Sequence, residues 1–193
     1  MARIELADRS DLPPESRDLV ASLSAKEGLP EPYRHLIQDS TRNVYRALAL
    51  SPPLLEAFRT FGRTVWADCG LSPRRREITI LTVGRALDAA YEWHQHVRIG
   101  LQEGLTSEEI AAIGAGADDP FDAADRTLIA YTRAHVLGNV DDDALDAFID
   151  SFDESSLIGV SLLAGIYTTI AQLGDALALE TEEPFVGWDL TGL

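Results

Sequence analysis

Cysteine is almost absent from this chain of 193 residues, in which Cys69 is the single thiol. One cysteine excludes an internal disulfide, a cysteine-rich zinc site and a Cys-x-x-Cys redox pair. We interpret Cys69 as a small buried residue near a helix end. The alternative, a peroxidatic thiol, would have no resolving cysteine nearby.

Basic residues are also scarce, since 16 of them face 32 acidic residues and Lys26 is the only lysine. The formal charge of -16 repels phosphate, so we expect no nucleic-acid partner. Ordinary acidic drift is one explanation, but scarce lysine and abundant aspartate are typical of halophilic proteins. We therefore expect adaptation to molar salt, where screening over about 3 Å lets a dense acidic surface repel itself little.

The N-terminus lacks an apolar run, so we expect no signal peptide and a soluble cytoplasmic protein with a single domain, 1–193. Sustained alternation of apolar and polar residues, which marks strands, is absent as well. The pattern instead predicts an all-α fold, a multi-helix bundle. The predicted helices are 14–27, 33–50, 54–68, 74–87, 89–103, 106–113, 122–137, 141–152 and 155–180.

The last predicted helix contains no charged residue over the 20 positions from Ser155 to Gly174. A stretch of this length would just span a bilayer. Glycine, serine and threonine interrupt the apolar residues, however, and the flanking residues Glu154 and Asp175 are acidic rather than basic. We therefore expect a central core helix or a subunit-interface helix, and no membrane partner.

Residues able to perform chemistry concentrate in two adjacent predicted helices. Glu92 and His96 lie four positions apart, which places them on one helix face, about 6 Å from each other. A short connection at Asp88 makes the preceding helix an antiparallel neighbour, so Glu77 can meet the same face. Two carboxylates beside an imidazole in an apolar setting form a plausible acid/base site.

Two other interpretations remain open at this point. By spacing alone, Glu92 and His96 also fit a surface ion pair of the i,i+4 kind. Glu77, Glu92 and His96 also offer three ligands to a metal ion, although their spacing is a weak signal for one. His94 points away from His96 on a helix, so these two imidazoles cannot chelate together.

Several sequence runs in combination resemble the carboxymuconolactone decarboxylase family over about 43–179. The most informative is YEWHQHVR, from Tyr91 to Arg98, preceded by LSPRRRE, which ends at Glu77. Matching runs lie on either side: NVYRALALSP from Asn43, GLTSEEI from Gly104 and FDAADR from Phe121. The resemblance implies a core at 43–179 with an N-terminal helical extension, 1–42, and the helical fold of alkyl hydroperoxidase D.

Relatives with that fold carry a glutamate, a Cys-x-x-Cys pair and a histidine as a thiol and proton-relay site. By spacing, Glu77 matches the glutamate and His96 the histidine, whereas the two cysteine positions fall on Ala89 and Glu92. The chain therefore resembles the decarboxylase branch, which lacks the thiol pair, and we do not expect dithiol-dependent peroxidase activity.

The resemblance implies a lyase that removes carbon dioxide from a lactone carboxylate of aromatic catabolism, with no metal or other cofactor. His96 is then the acid/base, Glu77 orients its ring, and Glu92 shares a proton or holds water. A Cys69-dependent or thiol-independent antioxidant of the hydroperoxidase class, with peroxiredoxin-type activity, is the first alternative. A non-catalytic ligand-binding oligomer is the second.

Substrate binding is assigned to Arg76, Arg85 and Tyr91, because an anionic small-molecule substrate needs cations near the acid/base residues. Tyr167, in the uncharged helix, could line a pocket, but we favour its interpretation as a core tyrosine. Broad apolar helix faces and the family resemblance both predict a closed homo-oligomer, with a trimer or hexamer ahead of a dimer.

Overall fold

Eight α-helices and no strand make up the part of the chain that the computed structural model describes, residues 2–8 and 43–192. The all-α prediction is therefore confirmed. The predicted helix at 14–27 lies outside the described residues, as does the part of the helix at 33–50 that precedes residue 43. The helices are α1 (Asn43–Leu48), α2 (Pro52–Asp68), α3 (Pro73–Ala86), α4 (Ala90–Gln102), α5 (Ser107–Ala115), α6 (Ala123–Leu137), α7 (Asp142–Ser151) and α8 (Glu154–Leu177).

The helix ends follow local sequence signals. Ser72 caps α3 through its side chain, and Pro73 occupies the first turn, where a missing N–H costs nothing. Thr106 and Glu109 form a reciprocal capping box at the start of α5. Gly116 ends the same helix with a left-handed φ of 75°. Because these signals are local, the predicted and observed boundaries of both helices agree within two residues.

α3 is the central helix and contacts α4, α5, α6 and α8. All of its residues from Glu77 to Gly84 are buried. Residues 87–89 connect α3 to α4, and Asp88 has a left-handed φ of 50° in this turn. A Cβ at Gly84 would lie 3.4 Å from the backbone nitrogen of Trp93, which is van der Waals contact distance. The antiparallel helices therefore pack tightly, and Glu77 faces α4.

The uncharged helix α8 is a core element that packs against α2, α3, α4, α6 and α7. Gly159 comes so close to the backbone of Cys69 that a Cβ would collide with it. Ile158 and Leu162, in contrast, are exposed. By length and composition alone, α8 is the one described helix able to cross a membrane, a property that core helices of soluble proteins share.

The segment that follows α8, residues 179–192, covers the outer face of α4. The indole Nε1 of Trp93 donates a hydrogen bond of 3.0 Å to the carbonyl of Gly187. The ring of Trp188 lies 5.1 Å from the ring of Trp93, measured between centroids. Together with α3 and α8, which pack on other faces of α4, this segment buries every α4 residue from Tyr91 to Val97.

Candidate active site

His96 is held between two carboxylates. Its Nδ1 lies 2.8 Å from Oε2 of Glu77, and its Nε2 lies 3.1 Å from Oε1 of Glu92. The three residues are 4%, 0% and 3% exposed, respectively. Both ring nitrogens therefore face an acceptor, which a doubly protonated imidazolium satisfies. The predicted convergence of these residues is found, and the surface ion pair is ruled out as a description of them.

The surroundings of His96 favour its charged form. Burial by itself would lower the pKa of His96, but the carboxylates of Glu77 and Glu92 outweigh it and raise the pKa to about 9. The ring is therefore a cation at neutral pH, with a proton on the nitrogen that faces each carboxylate.

Glu77 and Glu92 differ in their access to open space. Glu77 lies behind the ring, and its second oxygen, Oε1, is buried without a hydrogen-bond partner among the described residues. Glu92, like His96, lines a cavity of about 360 Å³. Glu77 is therefore placed to orient the ring, whereas Glu92 is placed to meet a molecule in the cavity.

The cavity has a size that suits a small organic molecule. Its walls come from α1, α2, α4 and α8, and they combine aromatic rings, aliphatic side chains and two arginines. The lining residues are Val44, Tyr45, Phe58, Arg59, Gly62, Arg63, Trp66, Tyr91, Glu92, Gln95, His96, Ile99, Leu163, Ile166, Tyr167 and Ile170.

Glu182, from the C-terminal segment, fixes one wall of this cavity. The hydroxyl of Tyr91 donates to Oε1 of Glu182 at 2.9 Å and accepts from the backbone nitrogen of Val44 at 3.2 Å. The amide of Gln95 donates to the other oxygen of Glu182. Tyr91 thus lies on the wall, as its assignment to substrate binding requires, but its hydroxyl is already engaged.

Tyr167 also belongs to the cavity wall, which is the less favoured of its two interpretations, and it packs against the core as well. Its ring meets the ring of His96 edge to face, with centroids 4.9 Å apart and planes at 85°. The contact limits rotation of the imidazole and thereby supports the two hydrogen bonds of His96.

The two arginines of the cavity were missed by the sequence analysis. Arg59 and Arg63 lie four positions apart on α2, so they share one helix face. Neither forms an ion pair with any carboxylate in the described ranges. In the sequence, the i,i+4 spacing of these arginines and the nearby aromatic residues Phe58 and Trp66 could have indicated a binding surface for an anion.

Arg76 and Arg85, which were assigned to substrate binding, do not line this cavity. The guanidinium of Arg76 lies over the ring of Trp66, 4.6 Å from its centroid, and donates to the Trp66 carbonyl. Arg85 lies two helical turns beyond Glu77 and donates to the carbonyl of Gly114. Both assignments relied on nearness in sequence, whereas rotation and rise along α3 separate these side chains from the Glu77 face.

The remaining candidate groups lie outside the cavity. Cys69 is 1% exposed and does not line it. His94 points away from His96, because its Nδ1 accepts a hydrogen bond from the backbone of Val186. Within the described residues, no group of three or more histidine, cysteine or acidic side chains is arranged to hold a metal ion.

The fold is that of the alkyl hydroperoxidase D class, as three solved structures show. The debrominase Bmp8 without ligand has a TM-score of 0.77 and 15% identity, covering 97% of this chain and 95% of that chain. A cysteine-to-alanine variant of Bmp8 in complex with 2,3,4-tribromopyrrole has a TM-score of 0.74 and 16% identity, with 94% of each chain covered. An alkylhydroperoxidase AhpD core protein from Ralstonia eutropha JMP134, described as peroxidase-related, has a TM-score of 0.76 and 16% identity, covering 97% and 96%.

A second comparison concerns the family. Residues 52–134 match the model of the carboxymuconolactone decarboxylase family, which confirms over this range the resemblance predicted from the sequence runs. The matched range includes α2, α3 and α4, which supply Glu77, Glu92 and His96. No curated protein matches the chain.

Proposed function

We propose that this chain is an acid/base enzyme that removes carbon dioxide from a small carboxylated lactone. One observation carries the proposal: the imidazole ring of His96 is held between Glu77 and Glu92 beside a cavity of about 360 Å³. Loss of carbon dioxide leaves an electron pair on carbon, which needs nearby positive charge and then a proton. A charged imidazole with a cavity-facing carboxylate supplies both.

In the proposed reaction the proton passes through Glu92. The proton on Nδ1 of His96 is held in the hydrogen bond to Glu77. The proton available for transfer is therefore the one on Nε2, which faces Oε1 of Glu92. Glu92 accepts it and delivers it to the carbon that has lost carbon dioxide, and solvent restores the proton to the pair. His96 is then the proton source, and Glu92 is the acid that reaches the substrate.

Arg59 and Arg63 support an anionic substrate. Both residues line the cavity, Arg59 half-buried and Arg63 exposed, and neither has a carboxylate partner in the described part of the chain. A carboxylate on the substrate would give them one, with the planar fork geometry that arginine favours. The rings of Trp66 and Tyr167 would cover the flat faces of a lactone.

Thiol chemistry is the contrasting possibility, since one structural neighbour is named for the alkylhydroperoxidase core and another is a debrominase. The site described above holds a glutamate at position 92, and Cys69 is buried outside the cavity. We therefore assign no reaction to Cys69.

The proposal is tested by incubating the protein with a panel of carboxylated lactones in D₂O and following the products by NMR. We expect release of carbon dioxide and incorporation of deuterium at the carbon that carried it. Glu92→Gln keeps the shape of the side chain and removes its acid, so turnover falls by about 100-fold or more. Arg126→Gln, on the exposed side of α6, is the control and keeps full turnover.

Thiol dependence is tested with Cys69→Ala and a peroxide-consumption assay. We expect this variant to process the lactone at the wild-type rate. Consumption of peroxide that requires Cys69, together with no change in any lactone of the panel, would contradict the proposal.

We also propose that the chain forms a closed homo-oligomer, a trimer or a hexamer. Large apolar side chains exposed on α2 and α8 support this, namely Leu54, Phe61, Ile158 and Leu162. Light scattering in molar KCl tests the assembly, and a stable species of 21.0 kDa at micromolar concentration would contradict it.

A further inference from the structure

A second cavity, of about 240 Å³, lies between α3, α5 and α6. It is lined by Thr82, Arg85, Ala86, Ile113, Gly116 and Arg133, and it shares no residue with the cavity beside His96. Its lining contains two cations and no carboxylate, in a protein whose formal charge is -16. Asp88, outside the lining, forms an ion pair with Nη1 of Arg85 at 2.5 Å, so Arg133 is the cation of this cavity that has no carboxylate partner among the described residues.

The two arginines of this cavity differ in how they are held. Arg85 is fixed, because its Nε donates to the carbonyl of Gly114 at 2.7 Å and its Nη1 donates to Oδ1 of Asp88 at 2.5 Å. Its guanidinium also lies 5.1 Å from the ring centroid of Trp188. Arg133 is half-buried and forms no ion pair with any described residue. One guanidinium is thus preorganised, and the other has its donors available to a ligand.

Thr82 adds a second and independent observation. It is 1% exposed, and its hydroxyl is buried without a hydrogen-bond partner in the part of the chain that the structure describes. A buried hydroxyl without a hydrogen-bond partner destabilises the ligand-free protein. A ligand that offers an acceptor oxygen in the cavity would satisfy this group.

We propose that this second cavity is a binding site for a small molecule that carries a carboxylate or a phosphate group. Arg85 and Arg133 bind the oxyanion through charge-assisted hydrogen bonds, and the hydroxyl of Thr82 donates to one of its oxygens. Ala86 and Ile113 leave room for a short apolar part, since the volume of about 240 Å³ exceeds that of the anionic group alone. The site is independent of the reaction proposed at His96.

The test is isothermal titration calorimetry with two probes, inorganic phosphate and malonate, at constant ionic strength maintained with KCl. We expect saturable binding of at least one probe to the wild-type protein, and the stronger one identifies the anionic group. Arg133→Gln weakens that binding by about tenfold or more, since a charge-assisted hydrogen bond is lost. Arg126→Gln removes the same charge from the same helix outside the cavity and leaves the affinity unchanged.

Arg63→Gln separates this site from the cavity beside His96. Arg63 does not line the second cavity, so we expect the binding that Arg133→Gln weakens to remain in Arg63→Gln, whereas any binding of malonate beside His96 would be lost. The proposal is overturned if the wild type shows no saturable binding, if Arg133→Gln binds normally, or if Arg126→Gln or Arg63→Gln weakens binding as much as Arg133→Gln does.

Thr82→Val distinguishes a ligand-binding role of the Thr82 hydroxyl from a purely structural one, because melting temperature and affinity are expected to change in opposite directions. The substitution is nearly isosteric and removes the unsatisfied hydroxyl, so the ligand-free protein melts at a higher temperature. The same variant binds the probe several-fold more weakly, because one donor is lost. An unchanged affinity in Thr82→Val contradicts the role given to its hydroxyl.

Discussion

Nε2 of His96 lies 3.1 Å from Oε1 of Glu92, while Nδ1 of the same ring lies 2.8 Å from Oε2 of Glu77. A neutral imidazole has one N–H and could donate to only one of these carboxylates. With both carboxylates ionised, the two contacts therefore favour the charged ring, and burial away from water strengthens both interactions. The proposed chemistry depends on this charge and on the fact that Glu92, rather than Glu77, borders the cavity.

The first prediction concerns Arg63. Arg63→Gln removes one of the two cations that we propose to hold the substrate carboxylate, so KM rises by about tenfold while kcat changes little. Steady-state kinetics on the lactone that the wild type converts will measure both constants. A matched loss in Arg126→Gln, or a fall in kcat alone, would show that Arg63 does not anchor the substrate.

The second prediction concerns stability against pH. In the folded protein the pKa of His96, about 9, exceeds the ordinary value of 6.5. The stabilisation that His96 gives the folded state is therefore complete below pH 6.5 and is lost as the pH rises towards 9. Burial, the larger cause, and the charge of Arg98, the smaller one, lower the pKa of His94 to about 4. The stabilisation that neutral His94 gives the folded state is therefore complete above pH 6.5 and is lost as the pH falls towards 4. We expect the free energy of unfolding to peak near pH 6.5.

Urea denaturation at a series of pH values will measure this profile. Each histidine contributes a slope of up to about 1.4 kcal/mol per pH unit. His94→Gln flattens the profile between pH 6.5 and 5, above the range in which most carboxylates titrate. His135→Gln, which changes a histidine outside both sites, serves as the control, and an identical flattening in that variant would count against the assignment to His94.

The third prediction compares two glycines of α8. A Cβ at Gly159 would collide with the backbone of Cys69, so Gly159→Ala destabilises the protein by about 1–3 kcal/mol. A Cβ at Gly165 meets no atom within 4 Å, so Gly165→Ala stabilises the helix by about 0.5–1 kcal/mol. Thermal unfolding of both variants will measure these changes, and equal effects of the two substitutions would contradict the close packing of α8 on the end of α2.

The fourth prediction concerns salt. With a formal charge of -16, repulsion between acidic side chains destabilises the fold at low ionic strength. The melting temperature therefore rises between tens of millimolar and molar KCl, as differential scanning calorimetry will show. A flat or falling curve would remove the halophilic interpretation and leave the proposed chemistry unaffected.

The predictable parts of the structure were those that local sequence determines. Ser72 and Thr106 mark helix starts, because each side chain accepts a hydrogen bond from the backbone N–H three residues further on. The approach of Glu77 to His96 was predictable because the connection between α3 and α4 is short and the spacing of Glu92 and His96 fixes a helix face.

The missed parts depend on segments distant in sequence. α4 is buried on every face because residues 179–192 pack over it, and no periodicity within α4 predicts such a cover. Arg59, Arg63 and Tyr167 reach the cavity through the packing of α2 and α8 against α4, which single-helix patterns do not specify. The two arginines that the sequence assigns to substrate binding, Arg76 and Arg85, lie near Glu77 in sequence but do not line the cavity.

The charge of His96 is the claim on which the proposed chemistry depends most directly. Long-range ¹H–¹⁵N NMR spectra of the histidine rings, assigned with His96→Gln, will follow both ring nitrogens between pH 5 and 10. We predict that both keep the shifts of a protonated imidazolium through neutral pH and titrate near pH 9, and that Glu92→Gln lowers this midpoint. A single-tautomer pattern at pH 7, or a midpoint at or below 6.5, would contradict the account.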